Sequence, residues 1–98
     1  MPPHVHPDFQ RGIDALRSQQ PEAAAALLAE VVRLEPTNVL AQSALGQAQL
    51  QAGDTAAALR SLERAHYLRP EDPLLLEQYG RALLAAAKGR ALRPSLCR

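Results

Sequence analysis

Tryptophan is absent from this chain of 98 residues; phenylalanine, methionine and cysteine occur once each and tyrosine twice. A core built on aromatic rings is thereby excluded. The apolar 47% comes mainly from alanine and leucine, a balance that favours helix over strand. The lone Cys97 excludes an internal disulfide, and no cysteine–histidine cluster has zinc-finger spacing. No apolar run approaches the roughly 20 residues that span a bilayer. The opening MPPHVHPDFQ has neither the basic start nor the apolar centre of a signal peptide. These absences describe a soluble, cytoplasmic chain forming one small domain, which buries only a modest share of its surface at this length.

Catalytic constellations are missing as well. His4 and His6 stand together without the carboxylate or thiolate partners of a structural zinc site. His66 has no orienting partner at a useful spacing. Ser18, Ser43, Ser61 and Ser95 lack a nucleophile-elbow setting, and Cys97 lies near the end with nothing to activate its thiol. There is no glycine-rich phosphate loop. The expectation is a protein that is not an enzyme and has no metal or cofactor.

Charge is scarce in net terms, at +1, but unevenly spread. Residues 1–59 set three arginines against six acids, and residues 60–98 set eight bases against four acids. Lys88, Arg90, Arg93 and Arg98 fall in an acid-free tail. Such a tail suits nucleic acid or an acidic membrane surface. It suits equally a solvated end whose first cations complement a helix C-terminus. The second reading is preferred because the chain has no basic face or aromatic platform to accompany the tail.

What is present is helix punctuation. Pro7, Pro21 and Pro73 fit first helical turns, where a missing N–H costs little. Asn38, Asp54 and Asp72 are good N-caps, while Pro36 and Pro70 cannot continue a preceding helix. Helices are expected near 7–19, 21–34, 39–52, 55–68 and 73–88, with neighbours antiparallel because the connections are short. Pro94 falls inside what would be a sixth helix, so 73–88 is read as a solitary cap on the stack and 89–98 as a flexible basic tail.

The punctuation repeats. Gly12, Gly46 and Gly80 lie 34 residues apart, as do Ala24 and Ala58, Leu28 and Leu62, Leu34 and Leu68, and Pro36 and Pro70. A glycine inside a helix costs roughly 1 kcal/mol against alanine, so three at one phase point to close approach of a paired helix. A 34-residue unit of two helices resembles the tetratricopeptide repeat (TPR) family. Its motif is met by Leu45-Gly46, Ala58, Leu62, Ala65 and Pro70 in 39–72. In 5–38 it is met by Gly12, Ala24, Leu28, Val31 and Pro36, with Arg11 where leucine is usual. In 73–98 only Tyr79-Gly80 and Leu83 remain.

The resemblance implies an all-α superhelix of antiparallel helix pairs: two full repeats, 5–38 and 39–72, plus the capping helix. Gln42 and Gln49 stand where the family carries large aromatic residues, which implies looser packing of the central repeat. It also implies a concave groove lined by the first helices. The corresponding residues are Phe9, Ile13 and Leu16, then Leu40, Ser43, Gln47, Leu50 and Gln51, then Leu74, Glu77, Arg81 and Leu84. Phe9 and Leu40 are expected to face the groove, whereas Leu16, Leu50 and Leu84 lean towards packing between first helices. An apolar strip with a few polar anchors suits a peptide or helix laid along it.

The resulting functional expectation is a non-catalytic adaptor or assembly factor that binds a protein or peptide, with no nucleic-acid or membrane partner. Homo-oligomers through an exposed solenoid end are a further expectation. Two other readings stay open: an appended repeat domain of a larger enzyme such as a glycosyl- or sulfotransferase, and a small secretion chaperone.

Overall fold

Five helices follow one another in the computed structural model, which describes residues 7–92, with side chains over 7–88. They are α1 (Pro7–Arg17), α2 (Pro21–Leu34), α3 (Val39–Gln51), α4 (Thr55–Leu68) and α5 (Pro73–Leu92). Among the described residues there is no strand, and no helix is long and apolar enough to cross a membrane. Each helix packs on its neighbours in the chain. In addition α1 touches α3 and α3 touches α5, so the first helices form one layer and α2 and α4 a second.

The turns repeat as the sequence does. Asn38 and Asp54 cap α3 and α4, their side-chain oxygens accepting from the N–H groups of Ala41 at 3.1 Å and Ala57 at 3.3 Å. The Asp72 carboxylate accepts from the N–H of Leu74 at 3.0 Å. Behind α2 the N–H of Asn38 donates to the carbonyl of Glu35, and behind α4 that of Asp72 donates to Arg69, the same turn 34 residues on. The α3–α4 turn is closed by Gly53 at φ 92°, with Gly53 N–H donating to Leu50 and Asp54 N–H to Gln49. The α1–α2 turn has the same bonds, Gln19 to Leu16 and Gln20 to Ala15, but places Gln19 at φ 62° where glycine stands one repeat later.

The third repeat corrects the expected end of α5 and start of the tail. The helix runs about one turn past Lys88, to Leu92. The positions equivalent to the turn residues Gly53 and Asp54 are Ala87 and Lys88. Alanine has no ease in the left-handed conformation and lysine offers no capping oxygen. Arg90, Ala91 and Leu92 are strong helix formers, which favours this extension. The remainder of the expected tail, 93–98, lies outside the described residues, as do His4, His6 and Cys97.

The core is thin and mostly alanine: Ala24, Ala41, Ala44, Ala48, Ala58, Ala65 and Ala82 are buried around Leu28, Val31, Leu45, Leu62 and Leu75. Such small side chains let the backbones approach closely. A Cβ on Gly12 would lie 2.6 Å from Leu28 Cγ, and one on Gly46 would lie 2.5 Å from Leu62 Cγ. Both leucines are fully buried, so neither can step aside. Gly80 sits at the same phase of α5, and a Cβ there would meet nothing within 4 Å.

Two outcomes follow for urea unfolding midpoints. Gly46→Ala lowers stability by up to about 2 kcal/mol, because overpacking outweighs roughly 1 kcal/mol of helix propensity, whereas Gly80→Ala raises it by about 0.5–1 kcal/mol. Equal effects at the two glycines would refute the close-packing account. Gln19→Gly raises stability by a few tenths to about 1 kcal/mol: relief of left-handed strain exceeds the extra chain entropy that glycine loses on folding.

Candidate binding site

The layer of first helices presents three rows of equivalent positions. Phe9, Ser43 and Glu77 form one; Ile13, Gln47 and Arg81 the next; Leu16, Leu50 and Leu84 the third. Read from α1 to α5, the first two rows change from apolar through neutral polar to charged. The apolar end is occupied internally. Phe9, Ile13 and Leu16 are half-buried and pack against the core cluster of Ala24, Leu28, Ala44, Leu45 and Ala48. Phe9, expected on the groove face and partly exposed, is half-buried against this cluster of α2 and α3 residues.

Four of the expected groove residues come together farther along. Gln47, Leu50, Gln51 and Arg81 line an open depression of about 360 Å³ between α3 and α5, completed by Leu62 and Gln78. Arg81 Nη2 donates to Glu77 Oε2 at 3.0 Å, both side chains being exposed. A pair of this kind contributes only about 0.3–0.5 kcal/mol, so the guanidinium is readily redirected to a stronger acceptor. Leu50 is half-buried at the rim, in keeping with a packing contribution. Leu84 departs from that expectation: it is 58% exposed, because α5 has no further first helix beside it. Leu40 and Leu74 are exposed at 69% and 56%.

Ser43 is committed to the interior. Its hydroxyl donates to Gln78 Oε1 at 2.9 Å and ties α3 to α5. Gln78, buried and lining the depression, is a residue that the sequence reading missed. The signal was available, since one repeat earlier the same position is Ala44 in the core. Gln42 and Gln49 do not leave gaps where aromatic rings were expected. Gln42 is 2% exposed and its Nε2 donates to the carbonyl of Pro36 at 3.1 Å, while Gln49 Oε1 accepts from the Ser61 hydroxyl at 2.8 Å.

No group of three or more metal-ligating side chains occurs among the described residues. His66 stacks on Tyr79 of α5, with ring centroids 6.1 Å apart and planes at 20°, and its Nδ1 is buried without a hydrogen bond. The ring joins α4 to α5. A second depression, of about 550 Å³, lies on the other layer between Pro36, Arg60, Glu63, Arg64 and Tyr67, and Tyr67 is 81% exposed there.

Comparison with known proteins agrees with the helical-hairpin fold. The sequence profile of the tetratricopeptide repeat matches residues 9–73, which take in both hairpins and the connection to α5. The chain is also similar to bacteriophage adsorption protein A of Escherichia coli (strain K12), 43% identical over 56 residues. That match covers 57% of this chain and only 6% of the relative's length.

Thermal melts separate the packed from the exposed members of the concave face. Leu40→Glu changes stability by no more than about 0.5 kcal/mol, as at most exposed positions. Phe9→Glu lowers it by about 2 kcal/mol or more, because an apolar contact is lost and a carboxylate is partly desolvated.

Proposed function

We propose, from the premise that this chain belongs to the tetratricopeptide repeat family, that it is a non-catalytic protein-interaction module binding a peptide or short helix along the α1–α3–α5 face. The observation that carries the reading is the exposure of Leu40, Leu74 and Leu84 on the same two helices, α3 and α5, whose Gln47, Gln51 and Arg81 edge an open depression. Leucines at such exposure leave apolar area for a partner to cover, at about 25 cal/mol per Å². The glutamines and the arginine supply the directional contacts that set a ligand's register, and Arg81 favours a carboxylate on the partner. The ligand preferred here is therefore an amphipathic segment with an acidic residue near the α5 end.

The same residues argue against two narrower roles. Arg81 is the only cation among the groove positions, so a clamp of several cations around a chain-terminal carboxylate is not what this face supports. The match to the phage adsorption protein spans only 6% of that protein, so adsorption of phage is not carried over. A second reading, that of a repeat segment serving a larger protein, is favoured by the comparison itself, since the relative holds the matching segment within a far longer chain.

The test is capture of binding partners on the immobilised chain, identified by mass spectrometry, with a thermal melt beside each variant. Leu40→Glu combined with Leu74→Glu abolishes capture while the fold survives, since both side chains are exposed. Arg60→Glu on the other layer leaves capture unchanged. Undiminished capture by the folded double variant would overturn the concave-face reading.

A further inference from the structure

α5 carries a second exposed apolar row, separate from the concave face. Leu76, Gly80, Leu83 and Ala87 succeed one another at steps of four, three and four residues and are all exposed, Leu76 by 54% and Leu83 by 47%. One repeat earlier the first three positions are Gln42, Gly46 and Gln49, the row of α3 that receives α4. Among the described residues the same seat is thus built three times and filled twice. Leu28 occupies Gly12 and Leu62 occupies Gly46, each followed and preceded on its own helix by buried small residues: Ala24 and Val31, Ala58 and Ala65.

Among the described residues nothing covers the third seat. Terminal helices of repeat stacks ordinarily present a polar outer face. Here leucines stand at the phases where the internal row of α3 carries glutamines, which makes the empty seat more apolar than the filled one.

We propose that the Gly80 face of α5 is a docking seat for an amphipathic helix of the kind this chain makes in α2 and α4. The docked helix lies antiparallel to α5 with a leucine on Gly80 and small residues about one turn to either side. Continuity with the two hairpin interfaces specifies the occupant: a helix with alanine, then leucine four residues on, then alanine or valine three residues further. A bulkier residue before or after the leucine would hold the two backbones apart and lose the glycine contact. This inference does not rest on the concave-face reading, and the two faces are disabled by different substitutions.

The experiment uses the full chain and a labelled synthetic peptide with the sequence of residues 53–70, GDTAAALRSLERAHYLRP, titrated by fluorescence anisotropy. Saturable binding is expected. Gly80→Leu in the chain weakens it at least ~tenfold, because a filled seat excludes the incoming leucine. Circular dichroism of that variant is unchanged, since nothing lies within 4 Å of the new Cβ. A peptide with alanine in place of the leucine corresponding to Leu62 binds at least ~tenfold more weakly. Leu40→Glu in the chain leaves the affinity as it was. Absence of saturable binding, equal binding by Gly80→Leu, or loss of binding in Leu40→Glu would each overturn the proposal. So would a concentration-dependent dimer of the chain alone that Gly80→Leu abolishes, which would give the face to a second copy.

Discussion

The insertion of a leucine side chain into the gap left by a glycine is the contact on which the rest of this structure depends. Leu28 over Gly12 and Leu62 over Gly46 bring paired helices nearer than any Cβ would permit. Dispersion falls steeply with separation, so close backbones let an alanine-rich interface make contacts that wider spacing would forfeit. Once the spacing is set, Ala24, Ala58 and Ala65 are the right size for their positions, and larger residues would force the helices apart. The scarcity of aromatic rings is therefore matched to the geometry, since no large space remains for them.

A narrow interface of alanines has little shape of its own to define register, and hydrogen bonds between side chains supply that definition. Gln42 reaches back to the carbonyl of Pro36, Ser61 joins α4 to Gln49 of α3, and Ser43 joins α3 to Gln78 of α5. Each bond adds only about 1 kcal/mol net, but leaving its partner buried and unpaired costs more. A shift of one helix along another would break these pairs, whereas sliding one alanine past another costs little. The polar residues stabilise modestly and select one arrangement strongly.

Two surfaces remain after this packing is complete, and they differ in kind. The face of α1, α3 and α5 is graded, apolar and half-buried near α1, polar and open between α3 and α5, charged at Arg81 and Glu77. The outer face of α5 is uniform, a leucine row around an unfilled glycine. The first carries the mixture of apolar and polar groups on which the proposed peptide binding rests. The second repeats the interior of the protein on its exterior, because the turn that would fold the chain back over Gly80 lacks both its glycine and its cap.

Much of the architecture was legible in the amino-acid order, because caps, prolines and the 34-residue period act locally. Asn38, Asp54 and Asp72 start their helices through bonds to residues two or three positions away, and Pro36 and Pro70 end the preceding ones wherever the chain is placed. The glycine–leucine pairing was likewise written in the period. The degree of burial along the first-helix face was not. Phe9 and Leu40 both read as groove-facing residues, yet one is half-buried against the core cluster of α2 and α3 and the other is 69% exposed. That distinction depends on which helix lies alongside, and periodicity within one helix carries no such information. Gln78 belongs to the same class, since only α3 and its Ser43 hydroxyl make the position polar and buried at once. Sequence alone determined where helices begin and which phases must be small. The tertiary structure decided which of those phases are filled, because burial is a property of neighbours that the chain reaches only by folding.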